Sequence, residues 1–204
     1  MDSTTKLNDL RDEFLGTSTQ SMPIAGMIYW SIVAVAALYV KPNQLSYIVL
    51  FGSGMIFPIG VLIDRLTGRK MKRASAGNPV TQLFMQTLGL VVLVWPLVLI
   101  AARLAHNANL IVLGAAILMG IIWIPYGWAA DDPVGLQHAI GRSALSYVGF
   151  LFAPDPYKAT AISIAVLLSY LYSLIRMRKP RPESPVSDLR TERVAGSSQK
   201  VGNS

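Results

Sequence analysis

Residues 110–153 read LIVLGAAILMGIIWIPYGWAADDPVGLQHAIGRSALSYVGFLFA, and this stretch decides the fold. Its two apolar runs, 110–130 and 134–153, match the roughly 20 residues a helix needs to cross a bilayer. Only Asp131, Asp132 and Pro133 separate them, and so short a connection makes the two helices antiparallel neighbours. Backbone amides in hydrocarbon must be satisfied within their own segment, so neither run can be an exposed strand or loop. The second run is the less apolar, with Gln137, His138 and Arg142 lying where a membrane should be.

The rest of the chain repeats the pattern. Runs at 23–40, 45–63, 80–102 and 159–175 complete an expected all-α membrane protein, a six-transmembrane-helix bundle. The 204 residues are 52% hydrophobic and 14% charged, with a mean hydropathy of +0.46. A soluble domain carries about a quarter charged residues. With the N-terminus inside, 14 of the 18 Lys and Arg fall in the inner segments. Only three, Lys41, Arg103 and Lys158, fall in outer loops. The positive-inside rule therefore places both termini in the cytoplasm, and the expected location is a bacterial cytoplasmic membrane. The net charge of +7 reads as this orientation signal, so no nucleic-acid partner is expected.

Absence of cysteine excludes disulfides, thiolate metal sites and cysteine nucleophiles. Two histidines are a poor basis for a transition-metal site, so neither metal nor cofactor is expected. Residues 1–22 carry two basic and four acidic side chains, unlike the basic start of a signal peptide. Leu7, Leu10 and Phe14 recur at helical spacing and Gly16 is a plausible stop. The expected organisation is a cytoplasmic arm with a short amphipathic helix at 1–22, docked on the protein's own basic loop. A transmembrane domain at 23–175 follows, then a basic and afterwards disordered tail at 176–204.

The second and fourth spans end alike. Residues 56–64, IFPIGVLID, align without gaps on residues 123–131, WIPYGWAAD. The shared frame is Pro-x-Gly followed four residues later by Asp. The next spans also open alike, with Asn78-Pro79-Val80 and Asp132-Pro133-Val134. Gln82 and Gln86 share a face of the third span as His138 and Arg142 share one of the fifth. Paired Pro/Gly-interrupted helices in matching positions mark binding sites in repeat-built transporters. Gly and Pro are also common in membrane helices generally, so chance likeness is the competing account. Pro58, Pro96 and Pro125 are expected to kink the second, third and fourth spans.

Arg142 is the sharpest feature, about 12 Å along its helix in a core about 30 Å thick. An arginine near a helix centre costs about 2.5 to 3.5 kcal/mol on insertion scales. It therefore marks a site, snorkels to the inner surface along its stem, or locks helix packing. Gly135, Ala139, Ser143 and Ser146 form a small-residue stripe that His138 and Arg142 flank, which turns the pair toward the bundle interior. Candidate partners on the inner side are Asp131, Asp132, Asp64, Asn78, Gln82 and Gln86, with Tyr126 lining the approach. Together they outline an inner vestibule for a small solute or a proton, and His138 is the side chain suited to relaying protons. The first reading is thus a small transporter or channel-like protein. The alternative is a non-catalytic protein that assembles with itself or another membrane protein, its polar residues only stabilising packing. Gly141-Arg142-Ser143 has the Gly-x-Ser look of intramembrane serine proteases. Ser143 and His138, five residues apart on one helix, splay away from each other, so no catalytic residue is assigned.

Leu10-Arg11-Asp12-Glu13-Phe14, Phe57-Pro58, Asn78-Pro79 and Pro125-Tyr126-Gly127-Trp128 together resemble a group of small bacterial multi-pass membrane proteins whose function is unassigned. The resemblance runs from the arm to the fifth span. It implies the architecture and supplies no catalytic or binding residues.

Overall fold

Proline and short polar side chains set where the helices start and break. The computed structural model describes residues 3–17, 21–68 and 77–177, and the described residues form helices joined by turns, without a strand. In chain order they are α1 (Ser3–Thr17), α2 (Met22–Tyr39), α3 (Pro42–Gly52), a 3-10 turn (Ser53–Met55), α4 (Ile56–Leu66), α5 (Pro79–Leu104), α6 (Asn109–Ile121), α7 (Trp123–Ala129), α8 (Val134–Phe152) and α9 (Lys158–Arg176). Most of the basic loop (69–76) and nearly all of the expected tail (178–204) lie outside the described residues.

Each expected span appears as a helix or a helix pair. A proline lacks an amide donor and its ring clashes with the carbonyl four residues back. Pro58 thereby disturbs Gly54, inside the 3-10 turn that separates α3 from α4. Pro125 disturbs Ile121, the last residue of α6, so α7 begins afresh at Trp123. Pro96 differs: α5 continues through it as one helix of 26 residues. The helices after the two broken spans start alike. Asn78 Oδ1 accepts from Val80 N–H at 2.9 Å, and Asp132 Oδ1 accepts from Val134 N–H at 3.0 Å. These caps satisfy amides that the first turn leaves orphaned.

Five helical stretches are long and apolar enough to cross a membrane: Met22–Tyr39, Pro42–Leu66, Pro79–Leu104, Asn109–Ala129 and Lys158–Arg176. Their outward faces expose large apolar side chains, for example Ile32, Phe51, Leu93, Leu97 and Ile175. A soluble monomer rarely shows so continuous an apolar surface. These features are consistent with an integral membrane protein. At 19 residues α8 has a spanning length, but Gln137, His138 and Arg142 make it less apolar than the five.

The apolar core centres on α9, which packs on α8, α2 and α6. Small residues bring the backbones together. A Cβ on Gly149 would stand 3.1 Å from the Ala161 backbone, and His138 near the other end of α8 meets Ser169 and Ser173. The two helices therefore lie antiparallel along most of their length. Where α7 turns into α8, Gly127 and Gly135 touch so closely that a Cβ on Gly135 would lie 2.4 Å from the Trp123 carbonyl oxygen. By contrast α5 sits at the edge, against α6, α7 and α1. Gly135→Ala is expected to destabilise the protein by about 1 to 3 kcal/mol through overpacking. Gly141, whose Cβ would meet nothing within 4 Å, should tolerate alanine or gain about 0.5 to 1 kcal/mol. Thermal unfolding of the two purified variants in one detergent checks the contrast.

Candidate functional site

Residues four apart share a helix face, and on α8 that spacing aligns His138, Arg142 and Ser146. All three are buried, with 1%, 0% and 0% of their surface exposed. The small-residue stripe beside them lets α7 and α9 come close enough to cover them. Ser143, less buried, donates back to the Ala139 carbonyl at 2.8 Å.

Arg142, on α8, is enclosed by three other helices. Its guanidinium carbon lies 5.3 Å from the Trp30 ring on α2 and 5.3 Å from the Tyr170 ring on α9. On α6, Gly120 accepts the stem, since a Cβ there would approach Arg142 Cδ to 3.2 Å. Gly26, one turn before Trp30, leaves room for the Tyr170 ring, which a Cβ would overlap at 2.3 Å. Arg142 thus does not snorkel. Among the described residues no carboxylate pairs with it. The Tyr170 hydroxyl acts on it electrostatically, but none of its three nitrogens makes a hydrogen bond of proper geometry. Trp30 Nε1, His138 Nε2 and Ser146 Oγ are likewise buried without a partner. Buried polar atoms are nearly always paired, so a group of unpaired ones calls for a specific explanation.

His138 stacks on Trp123 with ring centres 4.0 Å apart and planes 16° apart. Its Nδ1 faces the Ser169 carbonyl at 3.0 Å and Ser173 Oγ at 2.7 Å. A carbonyl can only accept, which favours a proton on Nδ1. In that tautomer the imidazole cannot take a proton from Ser173 through Nδ1, so the close pair is no activated nucleophile. The lone pair is then on Nε2.

The other expected site residues have separate tasks. Asp132 and Asn78 cap α8 and α5 as described. Asp64, buried at the end of α4, accepts from the Ser21 hydroxyl at 2.6 Å. Asp131 is exposed, takes a positive φ of 51° where α7 ends, and pairs with Arg11 at 3.3 Å. Gln82 and Gln86 are exposed on α5, away from the buried face of α8. Of the residues expected to line an inner vestibule, only His138 and Arg142 are buried together on one face of α8. Tyr126 stands edge-on to Trp123 with 5.9 Å between ring centres.

Tyr126 also receives the N-terminal arm. Phe14 on α1 is buried against Phe84 and Tyr126, with ring centres 5.4 and 6.4 Å away. Asn78 Nδ2 donates to the Leu10 carbonyl at 2.8 Å and to Glu13 at 3.2 Å, and Arg11 lies 4.7 Å over the Trp128 ring. The arm is thus seated on Asn78 and the neighbouring helix ends, while residues 69–76 of the basic loop expected to receive it lie outside the described residues. Aromatic contacts run from Phe14 through Tyr126 and Trp123 to His138 and Tyr170. Trp30, Trp123, Tyr170, Ser169 and Ser173 escaped the sequence reading. The available signal was aromatic residues within spans, since such residues favour span ends.

Residues 7–178, which include nearly all of this arrangement, match the model of a family of unknown function, DUF7010. The chain belongs to that family. DUF7010 supplies no role for any residue, in keeping with the resemblance to proteins of unassigned function, and the matched region extends past α8 to include α9. No curated protein and no solved structure matches the chain.

Asn78→Asp separates the two tasks of Asn78, because it keeps the acceptor that caps α5 and loses the amide that holds the arm. Deuterium uptake over residues 3–17 should rise while the first turn of α5 stays protected. Asn78→Ala should loosen both and cost about 1 kcal/mol for the cap.

Proposed function

We propose that this chain is a six-span integral membrane protein of the cytoplasmic membrane, with both termini in the cytoplasm. In this reading it binds a small solute inside the bundle at Arg142 and His138 and carries it across. The span beyond the five is α8, fifth in chain order, whose antiparallel packing along α9 supports a crossing in spite of its polar residues. The observation that carries the function is a wholly buried guanidinium, midway along a helix, with no carboxylate partner among the described residues. Intramembrane charge of this kind marks substrate and ion pathways. Desolvating it costs several kcal/mol. The two rings return only part of this, about 2 kcal/mol or more for a desolvated cation–π contact.

The ring contacts of Arg142 favour a second reading, in which it locks four helices together in an assembly protein. Arg142→Met separates the two. As a binding residue its loss leaves the protein folded, with thermal stability unchanged or raised, because an apolar residue of similar volume removes the desolvation cost. Flux in reconstituted vesicles then falls by at least about tenfold, the equivalent of about 1.4 kcal/mol. As a lock its loss lowers the melting temperature. The span count has its own test, since the chain holds no cysteine of its own. Single cysteines at Asp131 and Asp155 should react with impermeant thiol reagents from opposite sides of the membrane. Reaction from one side would exclude the α8 crossing.

A further inference from the structure

We infer that the Arg142 site binds a small monovalent anion, which completes the hydrogen bonding that the chain leaves open. The inference rests on the reading of Arg142 as a binding residue and adds the class of ligand. A guanidinium offers five N–H donors and no acceptor, and it does not shed its charge by deprotonation. Around it the unpaired atoms are mainly donors. Trp30 Nε1 can only donate, Ser146 Oγ can donate, and the three nitrogens of Arg142 have the Tyr170 hydroxyl beside them but form no hydrogen bond of good geometry. His138 Nε2 is unpaired too and carries a lone pair, so it is the exception that accepts rather than donates. A site built from a cation and neutral donors, without a carboxylate among the described residues, is complementary to negative charge.

Water could accept from these donors but would leave the positive charge uncompensated in an apolar surrounding. An anion does both. Its charge is set by the site. Arg142 is the one charged side chain in the interior of a span, so a single negative charge neutralises it. A divalent anion would leave a net charge buried, at the same kind of cost. Halides and short carboxylates such as formate share the required chemistry.

The test is thermal unfolding of the purified full-length protein in detergent at constant ionic strength. Chloride, bromide and formate are each titrated against gluconate, an anion too bulky for a site closed by Trp30, Tyr170 and Gly120. A saturable rise in melting temperature with the small anions, absent with gluconate, is expected. Its rank order distinguishes a halide site from a carboxylate site. Trp30→Phe keeps the ring and removes the donor, and Ser146→Ala removes a hydroxyl. Both retain Arg142, and each should shift the titration midpoint upward by about tenfold, as expected for one hydrogen bond to a charged group. Arg142→Gln should abolish the response. Equal melting temperatures in all anions, or midpoints unmoved in both Trp30→Phe and Ser146→Ala, would overturn the inference. Vesicle flux keeps the two readings apart. Saturable stabilisation without flux supports the anion site and removes the transport reading. Flux with no anion response overturns the anion site and leaves the transport reading standing.

Discussion

A guanidinium held in the middle of a helix bundle, unable to lose its charge, constrains everything around it. Lipid cannot satisfy it, so its helix needs cover on every side that the charge faces. The cover comes from Trp30, Tyr170 and Gly120, on three different helices. Glycines make this possible. Gly26 admits the Tyr170 ring to α2, and Gly127 and Gly135 bring α7 onto α8. Small residues at such crossings are what allow membrane helices to approach closely when no hydrophobic force separates protein from lipid.

The break between α6 and α7 extends this arrangement to the protein's surface. Pro125 ends one helix and starts the next at Trp123, which places that indole flat on His138. Three residues later Tyr126 meets Phe14 of the arm. A continuous set of ring contacts thus joins the docked arm to the buried site. It gives a physical route by which seating or release of α1 could bias the packing around Arg142. The corresponding break between α3 and α4 and the matching caps at Asn78 and Asp132 extend the likeness of the two segments from sequence into geometry. Their uses diverge, since Asp64 is buried on Ser21 whereas Asp131 is exposed and ties down Arg11.

Five of the six expected spans were legible in the sequence because length and apolarity are properties of each segment alone. The helix starts at Asn78 and Asp132 and the breaks before Pro58 and Pro125 were legible for a similar reason, since capping and proline sterics are local. His138 and Arg142 stood out as polar residues where none should be. Gln82 and Gln86 show the limit. They have the same local spacing as His138 and Arg142, yet α5 lies at the bundle edge and α8 at its centre. Only the packing of all the helices decides which is which. The acidic candidates illustrate a second limit, because each has a partner other than Arg142: a backbone amide for Asp132, the Ser21 hydroxyl for Asp64 and Arg11 for Asp131. Trp30 and Tyr170 carry no mark of a binding site in their own segments. They acquire one only when α2 and α9 bring them to the same guanidinium.

The central claim is that the partner of Arg142 comes from outside the chain. Crystals of the full-length protein grown in bromide, with diffraction recorded at the bromine absorption edge, test it most directly. The account predicts one strong anomalous peak in hydrogen-bond contact with the Arg142 guanidinium, beside Trp30 and Ser146. An Arg142 paired with one of the chain's own carboxylates, or turned out to the membrane surface with no bromide near it, would contradict the account.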